Sequence, residues 1–273
     1  KVLTDGLASI HYLAQWGIAS SLKHPLFLAP LLPSDSIETA NQKMDLVAKY
    51  LEIFCVRRSI NFRTFGATSV RYTMYSLVKE IRGKSLEELQ TLLQGKLEGM
   101  EERWSGFDRF RLHGQNKVFV KYLLSRLSGY VDELAGESTN FTNYFHKGVG
   151  KPFEIEHIWS QHFVEHQDEF EQQHDFDDYR NRLGGLVLLP RGTNQSYGDK
   201  PYTTKKTHYI KENLLVKSLC PLAYENNPNF KRLISEHALP FEAHDEFKKA
   251  DLEARQELYQ AICEDIWTLK AGL

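Results

Sequence analysis

The segment Glu154-Ile155-Glu156-His157-Ile158 decides how the rest of this 273-residue chain is interpreted. Polar and apolar residues alternate through it, as they do in a half-buried β-strand. A second apolar run, Leu186-Val187-Leu188-Leu189, follows a glycine turn and is closed by Pro190. Gly192-Thr193-Asn194 then opens the next element. The order strand, turn, strand and helix predicts a small α+β part at this point of the chain.

Residues 1–145 are predicted to be helical, because apolar side chains recur there every three or four positions. One such stripe covers residues 40–54. Ser85 and Glu88 form a capping box, which marks the start of a helix with a stripe of leucines. A third stripe covers residues 119–134. We expect these stripes to be the core-facing sides of helices.

The predicted domain boundary follows the third stripe, where polar residues and glycines interrupt the pattern. We expect a helical domain over residues 1–145 and a mixed domain over residues 146–273, which ends in further helices. The fold class is therefore predicted to be mainly α with a small α+β part. The chain begins at Lys1 without a methionine, and we expect it to be a fragment of a longer protein.

The composition indicates an intracellular protein and gives no sign of a membrane protein. No apolar run reaches the roughly 18 residues that a membrane helix needs. The net charge of −2 gives no argument for a polyanionic partner on its own. Three widely spaced cysteines suit a reducing cytoplasm and leave no Cys-x-x-Cys pair for zinc. We expect a cytoplasmic location, and oxygen and imidazole ligands for any bound metal.

The adjacent Glu156 and His157 have the chemistry that hydrolysis of a phosphodiester requires. A neutral imidazole can take a proton from water near neutral pH, and a carboxylate suits Mg²⁺, which prefers oxygen ligands. The amide oxygen of Asn194 can complete such a cation site, and Asn181 can hold the turn that orients the imidazole. Side chains of neighbouring strand residues point to opposite faces. Glu156 and His157 can therefore serve one site only if the strand ends or twists there.

Basic residues follow an acidic insert, which covers residues 160–178, and a polyanion is expected to bind them. Contacts from lysine and arginine to phosphates give an affinity that is independent of base sequence and falls with salt. The predicted nucleic-acid-binding residues are Arg182, Lys200, Lys205 and Lys206. Three tyrosines are interleaved with them, namely Tyr197, Tyr202 and Tyr209. The insert is predicted to be a solvated loop and a short helix that separate the two strands.

The chain resembles the C-terminal HNH domain, a ββα-metal nuclease fold, of the GmrSD-type modification-dependent restriction enzymes and the related SspE-type antiphage nicking proteins. The resemblance is carried by the residues from Glu154 to Ile158, by Asn-Arg-Leu-Gly-Gly-Leu-Val-Leu-Leu at 181–189, and by Asn194, Lys200, Lys205 and Tyr209. It implies that His157 is the general base and that Glu156 and Asn194 bind Mg²⁺, with Mn²⁺ as the alternative. It also implies that a nucleotide-hydrolysing, ParB-like sensor domain precedes this chain in the whole protein.

The sequence departs from the pattern of that family at three positions. Gly185 stands where the family usually has an asparagine, and Ser160 stands where it usually has a proline. The acid before the histidine is Glu156, whereas the family often has an aspartate. These differences bear on rate and metal preference more than on the fold.

Three functions are compatible with these residues. The first is a metal-dependent HNH endonuclease or nickase, which would be the effector part of a bacterial anti-phage restriction protein acting on phage double-stranded DNA. The second keeps the fold without catalysis and makes the chain a DNA-binding or interaction module. The third, an RNase toxin, shares the chemistry of the first and differs only in its substrate. An isolated Glu-His pair is often structural, since histidine is commonly half-buried without a catalytic role.

Overall fold

The computed structural model describes residues 7–146, 152–197 and 199–269, except for the side chains of Asn194 and Gln195. Helices dominate this part of the chain, and a two-stranded antiparallel sheet completes it. The predicted fold class, mainly α with a small α+β part, is confirmed. None of the described helices is long and apolar enough to cross a membrane.

The first of two compact units contains the described residues up to Gly106 and those from Trp267 onward. Its helices are α1 (Ala8–Gln15), α2 (Ser20–Leu28), α3 (Ile37–Ile60), α4 (Ala67–Ile81) and α5 (Leu86–Glu98). The predicted capping box is present at the start of α5: Ser85 Oγ accepts from Glu88 N at 3.2 Å, and Glu88 Oε2 accepts from Ser85 N at 2.9 Å. The stripe over residues 40–54 lies within α3, and its apolar side chains form much of this unit's core.

The second unit contains Phe107–Ile266. Its elements are α6 (Lys117–Leu134), α7 (Phe141–Phe145), β1 (Phe153–His157), α8 (Gln173–Arg180), β2 (Leu186–Pro190), α9 (Arg191–Tyr197), α10 (Tyr202–Tyr209), α11 (Leu214–Lys217), α12 (Pro228–His237) and α13 (Lys249–Ile266). The units therefore divide after Gly106, whereas the sequence placed the boundary after residue 145. The reason is that α6 packs against α7, α11, α13 and β2. The third predicted stripe thus supplies core to the second unit.

The two strands that the sequence pattern predicted form the sheet. β1 pairs antiparallel with β2, so that Ile155 lies opposite Leu188 and His157 lies opposite Leu186. β2 is buried along its length up to Pro190, and α9 follows it directly. β1 ends at His157, which is the position at which the strand had to end or twist for its last two side chains to serve one site.

The acidic insert contributes to the core of the second unit, which corrects the prediction of a solvated loop. Phe170 and Phe176 are buried, and the Phe176 ring stacks on Trp159 with the ring centroids 5.7 Å apart. The buried His166 packs on the same two aromatic rings. The three tyrosines that were expected to lie among the basic residues are also buried in this core, and they are Tyr197, Tyr202 and Tyr209.

The turn before β2 requires glycine at position 184 because α13 lies directly against it. An added Cβ at Gly184 would lie 2.3 Å from the carbonyl oxygen of Leu252 and 2.7 Å from the backbone nitrogen of Gln256. Gly184 N also donates to Gln256 Oε1 at 2.6 Å. Since backbone atoms block the space, a side chain could enter only if α13 moved away from the turn.

We expect Gly184→Ala to lower the free energy of unfolding by about 3 kcal/mol, which is the upper end of the cost of overpacking a tight contact. Gly114→Ala is the control, because a Cβ at Gly114 would meet no atom within 4 Å. It should change stability by less than about 0.5 kcal/mol. Urea denaturation followed by circular dichroism measures both values. Equal losses in the two variants would show that α13 does not approach the turn this closely.

Candidate active site

His157 lies at the end of β1, where its ring is only partly exposed and is held by an amide. Nε2 of His157 lies 3.0 Å from Oδ1 of Asn181, the residue that follows α8. The amide nitrogen of Asn181 donates to the carbonyl oxygen of Asp177 at 2.7 Å. Oδ1 is therefore the amide atom that faces the ring, and Nε2 must carry the proton. In the neutral ring, Nδ1 then has its lone pair available to accept a proton from water.

The surroundings of His157 keep its imidazole neutral. The pKa of His157 is lowered to about 4, chiefly by burial, and the positive charges of Arg180, Lys205 and Lys117 contribute in the same direction. The hydrogen bond to Asn181 opposes these effects only in part. At neutral pH the ring therefore holds no extra proton and has the form that a general base needs.

We expect the ring of His157 to titrate near pH 4 in the folded protein, which NMR of its carbon-bound ring protons can follow. Absence of the signal from His157→Ala protein would assign it. Because the folded pKa lies below the ordinary value of 6.5, the unfolded chain binds more protons between these two pH values. The contribution of this group to the free energy of unfolding therefore falls as the pH falls through that window. Titration near pH 6.5 would contradict the burial described above.

Glu156, the residue before His157 in β1, forms a buried ion pair with Lys205. Glu156 is 7% exposed and Lys205 is 1% exposed. Lys205 Nζ donates to Glu156 Oε1 at 2.5 Å and to the carbonyl oxygen of His157 at 2.7 Å. Burial raises the pKa of Glu156 and lowers the pKa of Lys205, while their mutual attraction opposes both shifts. The pair fixes the end of the strand on which His157 lies.

The buried position of Lys205 corrects the prediction that it contacts DNA, because its ammonium is enclosed and cannot reach a phosphate backbone. Lys206, the next residue, pairs with the exposed Asp245 at 2.9 Å. The guanidinium of Arg182 lies over the ring of Tyr179, with its central carbon 3.7 Å from the ring centroid. Lys200 is exposed and remains available at the surface.

The described side chains do not by themselves fit a divalent cation. Oε1 of Glu156 is engaged by Lys205. Asn194 lies in α9, but its side chain lies outside what the structure describes. Within the described residues, no group of three or more His, Cys, Asp and Glu side chains is close enough together to hold a metal ion. The arrangement supports chemistry by His157 and its neighbours, and the cation ligands Glu156 and Asn194 stay a prediction.

The sequence predicted a short helix in the acidic insert, but it did not predict that this helix, α8 (Gln173–Arg180), organises the site. Its last residue, Arg180, and the next, Asn181, both face the end of β1. Arg180 Nε donates to the carbonyl oxygens of Trp159 at 3.3 Å and Ser160 at 3.0 Å. The polar pair Arg180-Asn181, shortly before the glycine turn, was the signal in the sequence for this role. The acidic composition of the insert drew attention away from this pair.

A second contribution comes from Arg111 and Leu112, which lie just before α6 and about 40 residues before β1 in the chain. Leu112 N donates to the carbonyl oxygen of Asn181 at 2.8 Å, and Arg111 forms a bridge with Arg182. These backbone contacts bring Lys117 near enough to His157 to act on its charge. No periodicity in the sequence could have indicated this approach.

Gly185, in the turn before β2, lies close to the end of α8 and to Leu252. A Cβ at Gly185 would lie 3.1 Å from both the carbonyl oxygen of Arg180 and a methyl carbon of Leu252. The end of α8 and the side chain of Leu252 therefore leave little space for a side chain at position 185. The amide that contacts His157 is supplied by Asn181.

A family model described as GmrSD restriction endonucleases, C-terminal domain, matches residues 100–262. The matched range contains more than half of the chain and nearly all of the second unit, including both strands and α8. Comparisons with curated proteins and with solved structures found no match.

Proposed function

The chain belongs to the family of the C-terminal domain of GmrSD restriction endonucleases, and on that basis we propose that His157 is the general base of an HNH endonuclease or nickase. Membership of this family implies a nuclease of the restriction-endonuclease type, with DNA as the substrate. The observation that best supports the assignment of His157 is the bond from its Nε2 to Asn181, which leaves Nδ1 free to accept a proton.

The proposed reaction is hydrolysis of a phosphodiester by one water molecule. Nδ1 of His157 takes a proton from the water while the water oxygen forms a bond to phosphorus. The bond between phosphorus and the leaving oxygen breaks, and that oxygen takes a proton from solvent. One product carries the phosphate and the other a hydroxyl group. Asn181 keeps the ring in the tautomer and orientation that this step needs.

Mg²⁺, or Mn²⁺ in its place, is part of the proposal because of the resemblance of Glu156, His157 and Asn194 to HNH sites. Bound cations of this kind neutralise charge on the phosphate and on the leaving oxygen. Glu156 and Asn194 would hold the ion. Because Glu156 already binds Lys205, a cation would have to share this carboxylate with the ammonium of Lys205.

The role of this chain within a longer protein is also a proposal that rests on the resemblance. The chain would be the effector part of a bacterial anti-phage restriction protein, together with an N-terminal nucleotide-hydrolysing sensor domain, in the cytoplasm. The three cysteines are free and buried, which suits a reducing compartment. One His157 site per chain favours cutting a single strand, unless two copies act together.

Incubation with supercoiled plasmid in Mg²⁺, Mn²⁺ or EDTA tests the proposal. We expect conversion to open circles in the presence of a cation and none in EDTA. A single-stranded RNA substrate in parallel distinguishes a DNA nuclease from an RNase toxin. Cleavage of RNA alone would overturn the proposed substrate, and full cleavage of plasmid in EDTA would remove the cation from the proposal.

The second candidate function is a DNA-binding module without catalysis. The ion pair between Lys205 and Glu156 favours it, because this pair engages the carboxylate that a cation would use. Fluorescence anisotropy with a labelled duplex measures binding separately from cleavage. Binding of the duplex without conversion of plasmid under any cation would support this alternative over the nuclease.

A further inference from the structure

The guanidinium of Arg180, the last residue of α8, is anchored through its Nε atom. Nε donates to the carbonyl oxygens of Trp159 and Ser160, the second and third residues after His157. Among the described residues, neither terminal nitrogen of Arg180 takes part in a hydrogen bond or an ion pair. The group is thus fixed in position while two of its nitrogens keep their donor capacity.

This guanidinium is half-buried, which makes the lack of an ion-pair partner costly. Removal from water disfavours an isolated charge unless an anion compensates it. Glu156, Asp199 and Asp177 lie near enough to act on the charge of Arg180. None of them pairs with it directly among the described residues. Glu156 is bound to Lys205, and Asp199 accepts from the backbone of Gln161 at 3.0 Å.

The position of Arg180 relative to His157 is fixed through two independent connections. The next residue, Asn181, holds the imidazole at 3.0 Å. The carbonyl oxygens that anchor Arg180 belong to the chain that leaves β1 just after His157. An anion bound by the free nitrogens would therefore lie beside the imidazole. An arginine with two free terminal nitrogens matches a phosphate, whose oxygens accept two parallel hydrogen bonds.

We propose that the terminal nitrogens of Arg180 bind the scissile phosphate of the DNA backbone next to His157. This inference rests on the proposed nuclease function and names the group that holds the substrate in that site. Four other cations nearby are engaged elsewhere: Lys205 with Glu156, Arg182 with Tyr179, Lys206 with Asp245 and Arg111 with Asp178. Lys117 also acts on the charge of His157, but its side chain is exposed at the start of α6, whereas Arg180 is half-buried and anchored beside the imidazole.

The test compares Arg180→Gln with Arg180→Lys and with a control, Arg232→Gln, which changes an exposed arginine of α12. Glutamine keeps an N–H that can reach the anchoring carbonyl oxygens, but it has no charge. We expect Arg180→Gln to lower plasmid cleavage by about 100-fold or more, as the removal of one preorganised donor does in other enzymes. Arg180→Lys should recover only part of this, because lysine lacks the planar fork. Arg232→Gln should cleave at the wild-type rate.

Binding is measured separately, in protein that also carries His157→Ala so that the DNA stays intact. The affinity for a labelled duplex should fall about tenfold with Arg180→Gln, which corresponds to the loss of one charged contact to phosphate. Arg232→Gln should leave the affinity unchanged. Cleavage and affinity within threefold of the wild type in Arg180→Gln would overturn the inference.

The outcome for Arg180 is separable from the outcome for the nuclease proposal. If His157→Ala abolishes cleavage while Arg180→Gln cleaves normally, the nuclease stands and the phosphate contact is overturned. If the wild type cleaves nothing, the binding comparison still decides the contact. Should Arg180→Gln fail to fold, NMR of the Arg180 Nε signal during titration of His157→Ala protein with the duplex replaces it. An unchanged signal at saturation would overturn the inference.

Discussion

Lys205→Met is expected to lower the free energy of unfolding by about 3–5 kcal/mol, the usual cost of removing one partner from a buried ion pair. The loss leaves the carboxylate of Glu156 enclosed without a counter-charge, and it removes a hydrogen bond to the carbonyl oxygen of His157. Methionine has a similar length and fills the same space, so the loss reports on charge and not on a cavity. Urea denaturation followed by circular dichroism measures it.

The double variant Lys205→Met with Glu156→Leu distinguishes this explanation from a general packing defect. Removing both charges together leaves no buried ion, and replacing a buried pair by apolar residues is often neutral or stabilising. We expect the double variant to recover most of the stability that the single variant loses. The unsatisfied carbonyl oxygen of His157 accounts for the remainder.

Lys206→Met is the matched control, since it changes the neighbouring lysine, whose partner Asp245 has a side chain that is 93% exposed. Exposed ion pairs contribute about 0–1 kcal/mol, so this variant should remain close to wild-type stability. A loss of less than about 1 kcal/mol in Lys205→Met, or a double variant as unstable as the single one, would show that the pair between Lys205 and Glu156 is not buried as described.

The strands and the main helices could be predicted because their signals are local. Alternation around residues 154–158 and the apolar run at 186–189 depend only on spacing, and the structure confirms both strands and their pairing. The capping box of Ser85 and Glu88 is likewise a matter of neighbouring residues. Asn181 was selected from the sequence as a residue that could orient the imidazole, and its amide does contact His157.

The burial of Lys205, the buried aromatic residues of the insert and the boundary between the units could not be predicted from the sequence. They depend on which side of each element faces the core. Lys205 was assigned to the surface because lysine is usually exposed, but α10 turns this side chain inward, where Glu156 receives it. The aromatic residues Phe170 and Phe176 were hidden among acidic neighbours, so the insert looked solvated. The contact of α6 with β2 determines where the units divide, and it joins residues far apart in the chain.

His157→Ala is expected to lower the rate of DNA cleavage by about 1,000-fold, within the range of 100-fold to 10,000-fold that general acid and base catalysis contributes. Alanine removes Nδ1, the atom that would take the proton from water. Lys205 contacts the backbone oxygen of His157 and not its ring, and that bond survives the substitution. Asn181 keeps its bond to Asp177. The variant should therefore fold normally and still bind DNA.

Addition of free imidazole separates a catalytic role from a structural one. A small base that enters the space left by the ring should restore part of the activity of His157→Ala protein, in proportion to its concentration. It should have no effect on the wild type. The control is His174→Ala, which removes a histidine of α8 whose side chain is 80% exposed, and which we expect to cleave at the wild-type rate.

The most direct test of His157 as the general base is conversion of supercoiled plasmid to open circles by the wild type, His157→Ala and His174→Ala at equal concentration. Circular dichroism of the same samples confirms that each is folded. We predict open circles from the wild type and from His174→Ala, and none from His157→Ala until imidazole is added. Equal conversion by the wild type and by folded His157→Ala protein would contradict the assignment of the general base to His157.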